Sequence, residues 1–92
     1  MPGGGDAPVT WSVYPNPMRE TGTVEVVTAR TRPVRIALFD VLGRRVALLH
    51  DGPLHAGSVR RLPIPASTLP RGLYVVRAEG PALVAAQPVV VR

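Results

Sequence analysis

Apolar residues recur at every second position through Val34–His50, VRIALFDVLGRRVALLH, and that period organises the expected fold. Val34, Ile36 and Leu38 share one face of a pleated strand, and Val46 and Leu48 do the same on a second strand. Between them Asp40-Val41-Leu42-Gly43 fits a type I turn. Asp40 can accept bonds from the turn's own N–H groups, and Gly43 can take the left-handed conformation that a bulge needs. The segment predicts a hairpin whose apolar face the rest of the chain covers.

The flanking stretches carry the same period. Val9, Trp11 and Val13 alternate with Thr10, Ser12 and Tyr14 in a first strand. It ends at Tyr14-Pro15-Asn16-Pro17, where two prolines remove backbone donors and force extended neighbours. Met18–Gly22 reads as a loop, and Thr23–Thr28 as a strand with Val24 and Val26 inward. Arg30–Pro33 turns into the hairpin. Beyond it, Asp51–Gly57 reads as a loop. Val59–Ile64 reads as a poorer strand, in which Val59 and Leu62 fall on opposite parities and Pro63 and Pro65 demand an edge or a strand end. Leu69-Pro70-Arg71-Gly72 is a turn. In Leu73–Glu79, Tyr74, Val76 and Ala78 face in. Gly80-Pro81 turns again into Leu83–Arg92, a last strand that Pro88 confines to an edge or a bulge. No stretch of the chain has the period of an amphipathic helix. Short strands split by Gly/Pro turns predict one all-β domain over residues 9–92, an antiparallel β-sandwich of about seven strands. Residues 1–8, MPGGGDAP, read as a flexible lead-in, either a natural linker or a remnant of an expression vector.

Composition narrows the functional classes. With 92 residues the chain suits a single small core, and with no cysteine it has neither disulfides nor thiolate metal sites. No apolar run approaches the roughly 20 residues of a membrane helix. No signal peptide is evident at the start, so an exported protein would carry this chain as the end of something longer. The net charge is +5 and every basic residue is arginine. This fits either planar recognition of carboxylate and phosphate or the habit of a GC-rich genome.

Catalytic parts are scarce. His50, Asp51 and His55 have a spacing that suits one face of a helix, which Gly52-Pro53 forbids, so solvated loop histidines are expected rather than a metal site. Ser12, Ser58 and Ser67 lack a nucleophile elbow, and the acidic residues are scattered. No catalytic residue, metal or cofactor is expected. Arg44-Arg45 and Arg60-Arg61 would form one basic patch if their strands were neighbours. Yet a nucleic-acid binder would also want exposed aromatic platforms or a groove-reading helix, and neither is available.

Four motifs, in order, are more specific than any of them alone. They are Tyr14-Pro15-Asn16-Pro17, Asp40–Val46 (DVLGRRV), Leu69–Arg77 (LPRGLYVVR) and Val89–Arg92 (VVVR). In this order and spacing the chain resembles the type A C-terminal sorting domains of the type IX, or Por, secretion system, over about residues 9–92. The resemblance implies an immunoglobulin-like sandwich and a non-catalytic signal at the C-terminus of an exported cargo protein. The implied partners are an outer-membrane translocon, a shuttle barrel and a sortase-like protease, with delivery from periplasm to cell surface. Pro15, Asn16 and Pro17 match the family's opening motif, Asp40, Gly43 and Arg44 its central turn, and Gly72 and Tyr74 its late Gly-x-Tyr. Val89, Val90, Val91 and Arg92 match the terminal signal strand. The chain departs from the family at Gln87-Pro88, where a basic residue usually precedes the final apolar run. A terminal strand at a sandwich edge could add to a partner's sheet. Deleting Val89–Arg92 is then expected to leave the domain folded but unexported. An accessory spacer or binding module of fibronectin-III-like or hook-capping type would share the same sandwich.

Overall fold

Alternating side chains in seven short segments build two antiparallel sheets. The computed structural model describes residues 9–81 and 83–92; the expected lead-in at 1–8 lies outside the described residues. The strands are β1 (Thr10–Tyr14), β2 (Gly22–Val27), β3 (Arg32–Asp40), β4 (Arg45–Leu54), β5 (Arg60–Ile64), β6 (Gly72–Gly80) and β7 (Leu83–Val91). A 3₁₀ turn at Ala66–Thr68 joins β5 to β6. One sheet has the order β1-β2-β5 and the other β4-β3-β6-β7. Lettered A to G, the sheets are A-B-E and D-C-F-G. The fourth strand therefore lies beside the third, not beside the fifth as in a constant-type immunoglobulin domain.

The core lies between the inner faces. Val13, Val24, Val26, Leu62 and Ile64 line the smaller sheet, and Val34, Ile36, Leu38, Tyr74, Val76, Ala78, Val89 and Val91 the larger. Trp11 is half-buried and packs against this cluster. The expected inward sets of β2, β3 and β6 are those observed. The two strands expected at edges because of Pro63 and Pro88 are found there, β5 in one sheet and β7 in the other. At an edge, a missing backbone donor faces no ladder partner.

Four local expectations need correction. Val46 and Leu48 are exposed, because β4 carries two bulges against β3. The register steps from Ile36↔His50 to Ala37↔Leu48, and from Leu38↔Ala47 to Phe39↔Arg45, so Leu49 and Val46 are the extra residues. Each extra residue flips the parity of the strand beyond it, which puts Leu48 opposite outward-facing Ala37 and turns Ala47 inward. The expected loop from Asp51 is also strand as far as Leu54, which is buried; only then does the chain leave the sheet. Val59 precedes β5, so Leu62 and Ile64 alternate without a bulge. Finally, the loop after the two prolines contains Met18, which is fully buried.

Met18 sets the first prediction. It is among the largest side chains with no exposed surface and lies within the shared core cluster. Met18→Ala should lower stability by about 2–5 kcal/mol, the range for deleting a buried long side chain and leaving a cavity. Urea unfolding reads this directly, and a midpoint within error of the parent would place Met18 outside the core.

Candidate functional site

Strand pairing gathers all four motifs at one end of the sandwich. Asp40 lies opposite Tyr74 across β3 and β6, Tyr74 opposite Val89, and Gly72 opposite Val91. Met18, just after the Pro15-Asn16-Pro17 motif, forms a parallel bridge with Val91. Motifs separated by tens of residues in sequence thus occupy one continuous patch around the end of β7.

The turn between β3 and β4 is held by one carboxylate. Asp40 Oδ1 accepts from the N–H groups of Leu42 and Arg44, both at 2.9 Å, and Oδ2 accepts from Arg44 Nε at 2.8 Å. Gly43 N–H closes the turn on the Asp40 carbonyl at 3.0 Å. The Arg44 backbone N–H is the main cause that holds the Asp40 carboxyl below the ordinary aspartate value; desolvation opposes it, and the Arg44 side chain and the Leu42 N–H add to the lowering. A lowered carboxylate pKa means that the turn's electrostatic support is fully present above the unfolded value and is lost as pH falls through the folded one.

Gly43 sits at φ +81°, and a Cβ placed there would meet nothing within 4 Å. The cost of a side chain is therefore conformational. Gly43→Val should destabilise the domain by about 1–3 kcal/mol, since a β-branched residue is forced into the left-handed region. An unchanged melting temperature would contradict the turn geometry.

Tyr74 is buried, and its hydroxyl donates to the Pro70 carbonyl at 2.6 Å. A tyrosine reaching back to backbone a few residues upstream is the corner that Greek-key sandwiches use to pin a connection. It fixes the Leu69–Gly72 turn against the first residues of β6.

The terminal strand is clamped along its last residues. On one side it pairs with β6; on the other, Met18 N–H donates to the Val90 carbonyl and Arg92 N–H to the Met18 carbonyl, both at 2.8 Å. Asn16 Oδ1 accepts from Val90 N–H at 2.9 Å. The Pro-Asn-Pro motif, which contains cis peptide bonds at Tyr14-Pro15 and Asn16-Pro17, thus delivers an acceptor and a backbone segment to the end of β7. Val89 and Val91 are buried, whereas Val90 is half-buried and Arg92 exposed. Both sides of this segment are therefore bonded and two of its side chains are core, so the domain is expected to need Val89–Arg92 in order to fold, contrary to the expectation that it folds without them.

The preceding half of β7 differs. Val90 turns its N–H and carbonyl away from β6, and in an antiparallel ladder every second residue does the same. The main-chain groups of Val84, Ala86 and Pro88 therefore face outward, and among the described residues none is bonded there. Pro88 sits where its missing donor breaks no bond to β6. Val84 is also 72% exposed.

Elsewhere the chemistry stays dispersed. His50 Nε2 lies 3.1 Å from the Gly52 carbonyl oxygen, and His55 is exposed. Among the described residues no three His, Asp or Glu side chains gather as a metal site would require. Arg45, which opens β4 just after Arg44, and Arg60-Arg61 on β5 fall in different sheets, and Arg61 pairs with Glu25 at 3.6 Å.

A family model described as a secretion system C-terminal sorting domain matches residues 12–92. No curated protein matches the chain.

Proposed function

The chain belongs to the type IX secretion C-terminal sorting domains, a family of export signals, and from that premise we propose that it is the non-catalytic address of a larger cargo precursor. The cargo is fused N-terminal to the domain, and export ends at the cell surface. The partners in this reading are the outer-membrane translocon, its shuttle barrel and a sortase-like protease. The element read is the terminal strand, with Val89, Val90, Val91 and Arg92 anchoring it and Val84–Pro88 presenting it.

One observation carries the reading. The last strand is locked at its end by residues 16–18 and open along Val84–Pro88. An open edge beside a fixed one is what a partner needs to add a strand in a single register, with main-chain bonds supplying affinity and alternate side chains selectivity. The proline at position 88 discourages pairing between copies of the chain. No helix among the described residues is long and apolar enough to cross a membrane. An accessory spacer would share the sandwich without any use for this edge.

The direct test fuses a periplasm-compatible reporter ahead of the domain in a host with type IX secretion. Reporter at the cell surface with the domain, and retention without it, is the expected result. Equal retention in both would overturn the reading.

A further inference from the structure

Four arginines face a carboxylate. Arg35 meets Asp51 at 3.4 Å, Arg44 meets Asp40 at 2.8 Å, Arg61 meets Glu25 at 3.6 Å and Arg77 meets Glu79 at 3.2 Å. Arg19, Arg71 and Arg92, like Arg32, Arg45 and Arg60, do not, and the first three are set apart because together they line one open cleft of about 570 Å³. Among the described residues no carboxylate lies within ion-pair distance of any of them.

The grouping follows from the backbone. Arg92 N–H donates to the Met18 carbonyl, so Arg19 emerges beside the end of the chain's last strand. Gly72 lies opposite Val91, so Arg71, one residue earlier, arrives at the same place. Three like charges held together in this way repel one another at a cost that only an anion removes. An α-carboxylate on Arg92 would offset one of the three and leave two.

We propose that this cleft binds a multiply charged phosphate, with the three guanidiniums donating planar pairs of N–H groups to its oxygens. Arginine's fork matches phosphate oxygens in pairs, and a surplus of two to three positive charges matches a phosphate dianion better than a single carboxylate. The site stands apart from the export reading, because it needs neither the open edge nor a translocon. Its ligand is either a free phosphate or the phosphorylated headgroup of a lipid.

Pyrophosphate titrated into the intact 92-residue chain by calorimetry at low ionic strength tests it. Saturable one-to-one binding is expected. Each of Arg19→Gln, Arg71→Gln and Arg92→Gln should weaken it by about fivefold or more, as for loss of a charge-assisted bond. Arg60→Gln, an equal charge change on exposed β5, should leave it within about twofold, since distant surface charges are largely screened. Flotation with phosphatidylcholine vesicles containing phosphatidic acid separates the sources. Triad-dependent binding tighter than to pyrophosphate assigns the headgroup, and binding no tighter assigns the free anion. Absence of saturation, equal weakening by Arg60→Gln, or tighter triad-dependent binding of a glutamate-rich peptide than of pyrophosphate would overturn the proposal.

Discussion

Deleting Val89–Arg92 should abolish cooperative folding. Val89 is 0% and Val91 2% exposed, and burying each valine is worth about 1.5–3 kcal/mol. Their loss also uncovers the inner ends of β6 and strips Met18 of the partners of both its N–H and its carbonyl. A buried backbone group left unpaired costs about 1–3 kcal/mol more. A domain of this size has a total stability on the order of 5–14 kcal/mol, at about 0.05–0.15 kcal/mol per residue. The truncated chain is therefore expected to show no cooperative melting transition at ordinary temperature, by circular dichroism or calorimetry. A transition within a few degrees of the intact domain would show that the terminal strand is dispensable to the core. Loss of export on truncation would thus not separate recognition from folding, and a variant that stays folded is needed for that purpose.

The parts of this architecture that were legible in the sequence are those set by local period and local turn chemistry. Val34, Ile36 and Leu38 on β3, and Tyr74, Val76 and Ala78 on β6, alternate without interruption, and all six are buried. Asp40 and Gly43 announce their turn because its bonds run between neighbours in sequence. Pro63 and Pro88 mark edges because each lacks a donor. By contrast, the two bulges of β4 leave no signature in Arg45–Leu54, whose apolar residues permit either parity.

Met18 was illegible for a different reason. A lone apolar residue between Pro17 and Arg19 reads as loop, and only the fold shows that its backbone bridges to Val91. The acceptor that Asn16 offers to Val90 spans 74 residues, and no local pattern encodes a contact of that separation. The same holds for Arg19, Arg71 and Arg92. The order of the four motifs did point to the family, and the match over residues 12–92 agrees with it. What the motifs share, a common position around the end of β7, was visible only once the strands were paired.

Blocking the open half of β7 should separate recognition from stability. Val84 and Ala86 turn their N–H groups away from β6, as Val90 does, so a proline at either position removes an outward donor and no ladder bond. Pro88 already occupies the equivalent outward position in the folded domain. The double variant Val84→Pro/Ala86→Pro should therefore keep a cooperative melting transition close to that of the parent. If a partner strand docks on this edge, two main-chain bonds at a net of about 0.5–1.5 kcal/mol each are lost. The sum, about 1–3 kcal/mol, corresponds to a fall in affinity of roughly fivefold to a hundredfold, since 1.4 kcal/mol is a factor of ten.

The most direct measurement of the central claim is surface delivery of one reporter carrying either the parent domain or this double variant, with the melting transition of each domain recorded alongside. The account predicts matched melting and at least about fivefold less reporter at the surface for the variant, in step with the lost affinity. Matched melting with undiminished delivery would contradict it.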